Sequence, residues 1–117
     1  MTRKPSVTPN SPAHAVERFF AKHGRAGLVL PDGWYGRPFD SLFALTSVLD
    51  LPDGLKIEIE GGRQLICVGD VAIVKTELEK YPALRIEGFK QASWNPQDGV
   101  SDEQNYGDSG AVLFVSQ

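Results

Sequence analysis

The sequence is poor in the residues that usually carry chemistry. It has one cysteine and two histidines among 117 residues. With Cys67 alone, no intrachain disulfide can form, and a reducing, cytoplasmic setting is the expectation. Its apolar surroundings, QLICVG, suit a buried packing thiol better than a reactive one. His14 and His23 show none of the close ligand spacings of a zinc site, with Cys67 or with each other. No apolar run approaches the roughly 20 residues needed to span a bilayer. The first residues, MTRKPSVTPNSPAHAV, lack the apolar segment of a secretory signal. There is no glycine-rich phosphate loop and no dinucleotide fingerprint. No cofactor, metal or membrane partner is therefore expected.

Basic clusters are missing too. The net charge is −3. Residues 1–40 hold six Lys/Arg against three Asp/Glu, and residues 41–117 hold six against twelve. Neither part has the dense cationic patch that a phosphate backbone requires, so nucleic acid is not an expected partner.

What is present suits one small domain. Residues 1–10, polar with two prolines, read as a disordered lead-in, and 11–117 as a single α+β domain. SPAHAVERFFAKHG carries helix signals at both ends: Ser11 as cap, Pro12 in the first turn, and Gly24 as the left-handed stop. Ala13, Val16, Phe19 and Phe20 make its apolar stripe. His14 is expected in solvent and His23 at the core edge; nine residues apart, they should point to opposite faces.

The rest reads as strands and turns. AGLVL (26–30) and SLFALTSVLDL (41–51) end in Pro-Asp-Gly turns, although the second also fits a helical period. In LKIEIEGGRQLICV, Leu55, Ile57 and Ile59 alternate with charged residues, and Gly61-Gly62 suits a two-residue hairpin turn. That register sets Glu60 opposite Arg63 as an ion pair, Ile57 opposite Ile66 and Leu55 opposite Val68. Gly69-Asp70 is expected to turn the chain, and Glu77 to Pro82 to connect two strands. Gly88 reads as a bulge that sends Phe89 inward. AVLFV (111–115) is a continuous apolar, central strand. The fold expected is one N-terminal helix packed on an antiparallel β-meander of six or seven strands, curled or partly closed.

Residues 107–110 spell GDSG, which resembles the nucleophile segment of chymotrypsin-like serine proteases. That resemblance implies Ser109 as nucleophile, with a histidine base and a third group orienting the base. Only the two helical histidines are available, the two-barrel architecture does not fit in this length, and Ala111 departs from the pattern. The segment reads as a turn, and no catalytic residue is assigned. The acidic residues Asp98, Asp102, Glu103 and Asp108 lack calcium-loop spacing and read as a solvated loop. Glu58 and Glu60 read as surface charge on a hairpin.

One segment stands out in composition. LPDGWYGRPFD, residues 30–40, gathers Trp34, Tyr35, Arg37 and Phe39 in a loop stiffened by prolines and glycines. Trp, Tyr and Arg dominate binding hot spots, and loops on rigid scaffolds often carry function. Trp34, Tyr35, Arg37 and Asp40 are the expected binding residues. The competing reading is that Trp34 and Phe39 fold back over the core and leave Tyr35 and Arg37 exposed. The segment resembles an LPDGWxGRPxD stretch of small bacterial, actinobacterial proteins without known activity; that resemblance implies a source class and no function.

The leading expectation is a non-catalytic module binding another protein, inhibitor- or immunity-like in size and class. The alternative is a small-molecule or enzymatic domain, with a pocket between helix and sheet floored by Trp94 and Tyr106. A third is a homodimer formed through an open sheet edge.

Overall fold

A computed structural model describes residues 11–97, 102–108 and 110–116. The lead-in expected over residues 1–10, and Ser109 of the GDSG segment, lie outside them. Helix α1 (Pro12–His23) begins as its signals predict. The Ser11 hydroxyl accepts from the His14 backbone N–H at 3.1 Å, and at the far end Gly24, with φ of 80°, donates to the Phe20 carbonyl. A second tie comes from the sheet: an Asp50 carboxylate oxygen accepts from Ala13 N–H at 3.0 Å, placing an anion at the positive end of the helix. Ala13, Val16 and Phe20 are buried, and the Phe20 ring meets Phe114 edge-on at 5.1 Å.

Among the described residues there are eight strands: β1 (Arg25–Leu30), β2 (Gly33–Tyr35), β3 (Phe43–Leu51), β4 (Gly54–Ile59), β5 (Arg63–Leu78), β6 (Tyr81–Asn95), β7 (Gln104–Tyr106) and β8 (Val112–Val115). All the pairings are antiparallel. Strand β8 pairs with both β1 and β6, so β1-β3-β4-β5-β6-β8 closes into a six-stranded barrel, with β2 and β7 as short additions. The helix on an antiparallel sheet matches expectation. The sheet goes further than a partly closed meander, because the apolar β8 lies between the two ends and joins them. Closure removes the open edges that a flat meander would leave along β1 and β6.

The core agrees with the strand alternation at Leu55, Ile57 and Ile59, all buried. The following hairpin does not have the expected register. Its loop is the three-residue turn Glu60-Gly61-Gly62, not Gly61-Gly62 alone, so Ile57 pairs with Leu65 and Leu55 with Cys67. A one-residue slip changes which face every side chain takes. Leu65 and Cys67 fill the core, while Ile66 and Val68 do not. The Glu60–Arg63 side-chain pair is likewise replaced. The Glu60 carboxylate accepts from Arg25 Nη1 at 2.7 Å and from Ala44 N–H at 2.8 Å, and Arg63 Nη1 donates to the Glu60 backbone carbonyl.

Gly69-Asp70 is not a turn either. Strand β5 runs through it, and the ladder with β6 shifts register between Val68 and Ala72. Gly88, at φ of 80°, is the bulge expected on the partner strand, and Phe89 beside it is buried. The expected connection at Glu77–Pro82 shrinks to Glu79-Lys80, both at positive φ, with Leu78 paired to Tyr81. Beyond the end of β4 the ribbon therefore continues as an arm in which β5 is paired on one side only, while β6 still pairs with β8 over Ala83–Ile86.

Candidate functional site

The 30–40 segment divides the residues that the sequence groups together. Trp34 and Tyr35 are neighbours on β2, so their side chains take opposite faces. Tyr35 turns inward. Its ring lies 5.0 Å from Trp94 and 5.8 Å from Phe43, and its hydroxyl accepts from Arg63 Nε at 3.1 Å. Arg63 also stacks its guanidinium over Phe43 at 5.0 Å. Tyr35 is thus half-buried packing, which corrects the expectation that it stands exposed beside Arg37.

Trp34 turns outward and covers a second apolar layer. Leu28, Phe114 and Leu84 face the barrel core, so their neighbours Gly27, Val115 and Ala83, aligned across three strands, face out. All three are nevertheless buried. The Trp34 ring approaches Gly27 so closely that an added Cβ would lie 3.1 Å from its Cζ3. Phe39 stacks on Trp34 at 4.7 Å and on Tyr81, from the arm, at 5.0 Å. Phe39 has φ of 60°, a conformation that costs a bulky residue about 1–2 kcal/mol. Rings on both sides hold it there. The result is a ledge of three rings, covered on one side and open on the other, with Tyr81 36% exposed.

Arg37 and Asp40 stand at the tip of this ledge. Their side chains are 84% and 69% exposed and approach within 3.6 Å of each other. The turn beneath is well fixed: Asp40 and Ser41 N–H both donate to the Arg37 carbonyl, and Ser41 Oγ accepts from Arg37 N–H. So of the four expected binding residues, Trp34, Arg37 and Asp40 share one surface, while Tyr35 does not. Phe39 and Tyr81 join it. Tyr81 is 41 positions away and had no local sequence signal.

The pocket expected between helix and sheet has a counterpart, but elsewhere. A half-open groove of about 680 Å³ runs between α1 and the arm, and neither Trp94 nor Tyr106 borders it. Trp94 is buried in the main core. Tyr106 instead donates through its hydroxyl to Asp32 at 3.0 Å; burial first, and then this carboxylate, push its pKa up to about 12. Both histidines border the groove despite their nine-residue spacing. His14 is half-buried and not free in solvent. His23 packs on Phe19 at 4.6 Å, and burial, followed by the charge of Lys22, holds its pKa below 6.5.

Gly110 of the GDSG segment rests against Pro31 at the base of the ledge, whereas both histidines lie on the helix beside the groove. Among the described residues, no three His, Cys, Asp or Glu side chains cluster as metal ligands, and no helix is long and apolar enough to cross a membrane. No protein-family model matches the chain, no curated protein matches its sequence and no solved structure matches its fold.

Proposed function

We propose that this domain is a non-catalytic binding module that engages another protein through the Trp34–Phe39–Tyr81 ledge and the Arg37–Asp40 tip. The supporting observation is the three-ring ledge, half open, beside an arginine that stands almost fully in solvent. Rings already stacked lose little freedom when a partner covers them, so little of the contact energy goes into ordering them. The Arg37–Asp40 pair is exposed and contributes little to folding. Arg37 can therefore exchange Asp40 for a partner carboxylate, or stack on a partner ring, at small cost. An inhibitor- or immunity-like role fits the size and class of the domain and belongs to this same reading.

The test is a photocrosslinking residue at position 37, used in the native host, followed by affinity measurements on the captured protein. Arg37→Ala and Tyr81→Ala should each weaken binding by about 1–3 kcal/mol, the usual hot-spot range. Equal capture from a crosslinker at Asp53, in the β3–β4 turn, would remove the ledge as the binding face.

A further inference from the structure

The groove has two features that the ledge does not explain. The first is an open strand edge. Strand β4 pairs with β5 only over Gly54–Val68 to Ile59–Arg63, and the last tie on that side is Gly69 N–H to the Asp53 carbonyl. From Val71 to Leu78, β5 is paired to β6 alone, and among the described residues no strand lies along its other edge. At about 3.3 Å per residue, those eight residues offer roughly 26 Å of backbone donors and acceptors. Residues of both alternations border the groove: Val71, Ile73 and Lys75 of one face, and Ala72 and Thr76 of the other. The groove thus meets the strand's edge as well as its face.

The second feature is charge. Arg18 and Lys22 from the helix and Lys75 from the strand border the groove, and among the described residues no carboxylate does. The nearest acidic residues along each element, Glu17 and Glu77, are not among its walls. None of the three cations has an ion-pair partner among the described residues. A single lysine on a free edge is the usual guard against unwanted pairing. Three unpaired cations converging from two elements, in a chain of net charge −3, go beyond a guard. Between them lies an apolar floor of Phe19, Ile73 and Leu84.

We infer that the groove between α1 and the arm binds an extended acidic peptide segment of another protein, added as a strand to the free edge of β5. The peptide's backbone would pair with Val71–Glu77. Its carboxylates would meet Arg18, Lys22 and Lys75 on the face that Val71, Ile73 and Lys75 share, and its intervening apolar side chains would lie on the face of Ala72 and Thr76. Residues 1–10 match this occupant poorly, since they contain Arg3 and Lys4 and no carboxylate. A second copy would bring another Arg18, Lys22 and Lys75 toward the first set. The inference is independent of the ledge.

The test uses the full chain and a capped heptapeptide, Glu-Val-Glu-Val-Glu-Val-Glu, followed by amide exchange and calorimetry. Alternate amides between 71 and 77 should gain protection on binding. Arg18→Glu combined with Lys75→Glu should weaken binding at least about tenfold at an unchanged melting temperature. Replacing the central valine of the peptide with proline should do the same, because a backbone donor is lost. Arg37→Ala should have no effect here, which separates this face from the ledge. The inference is overturned if the lysine counterpart of the peptide binds equally well, or if no binding appears at millimolar peptide. It is also overturned if the outward amides of 71–77 are already protected without peptide, for then residues 1–10 or a second copy cover the edge.

Discussion

The two halves of the β5–β6 ribbon are built from one continuous pair of strands and behave as different structures. In the barrel half, residues 64–68 pair with β4 on one side and β6 on the other, and Leu65 and Cys67 are fully buried. In the arm half, residues 71–78 keep only β6, and Val74 is 41% exposed. The change comes at Gly69 and Gly88, where the β5–β6 ladder shifts register and the pairing of β5 with β4 ends. An added Cβ at Gly88 would run into the Asp70 carbonyl, so the close approach of the two strands there needs glycine. Pairing on two sides makes β5 of the barrel half part of the core; pairing on one side leaves β5 of the arm at a surface, while Leu84 and Ile86 of β6 stay buried beside β8. The same hydrophobic alternation serves both.

The sharpest way to break this contrast is Gly54→Val. Gly54 pairs with Val68 at the mouth of the barrel half, and a side chain there would overlap the Cys67 carbonyl. Backbone cannot yield as a flexible side chain can, so loss of cooperative folding in a thermal melt is the expected result. Leu65→Ala should cost about 2–5 kcal/mol by denaturant titration, the range for a buried leucine. If it costs no more than Val74→Ala, the division between the halves is wrong.

Tyr35→Ala should also be costly, about 2–3 kcal/mol, because it removes a ring packed on Trp94 and a partner of Arg63. Arg37→Ala, two residues on, should change stability by under about 0.5 kcal/mol. The pair of melts separates packing from display within a single loop.

Cys67 gives a chemical readout of the barrel half. Burial pushes its thiol from 9.0 up to about 12, so it stays protonated and closed to disulfide reagents at pH 8. Because the folded pKa is the higher one, this contribution to stability is complete below about pH 9 and is lost as pH rises toward 12. A cysteine placed at Val74 in a Cys67→Ser background should react at once, while native Cys67 should react only on unfolding. The smallest effect is expected for Val74→Thr in the arm, within about 0.5 kcal/mol. A larger loss would mean that the outer face of the arm is covered in solution.

Short-range patterns of sequence were enough for the helix and its caps, for the alternation of Leu55, Ile57 and Ile59, and for the bulge at Gly88. The caps and the alternation rest on interactions within a few residues, and a glycine inside a strand pattern is itself a local mark of a bulge. The one-residue slip after Ile59 was beyond local reading. Two consecutive glycines suggest a two-residue turn, but Glu60 is drawn into the loop by Arg25 and Ala44, 35 and 16 positions away. Nor could a strand count show that the sheet closes, since closure depends on β8 meeting both β1 and β6.

The 30–40 loop divides in the same way. Its richness in Trp, Tyr, Arg and Phe is a property of the sequence, and so is the scarcity of catalytic and metal-binding side chains. Which aromatic is packed and which is displayed was decided by the alternation of β2 against Trp94 on one face and Gly27 on the other. The groove is a tertiary product throughout. Lys75 lies more than 50 positions from Arg18 and Lys22, on another element, and the three border one groove because β5 runs on past the end of β4. Local sequence fixes which residues can be helix, strand or turn, because those choices depend on neighbours. Sites made of distant residues wait on the packing that brings their elements together.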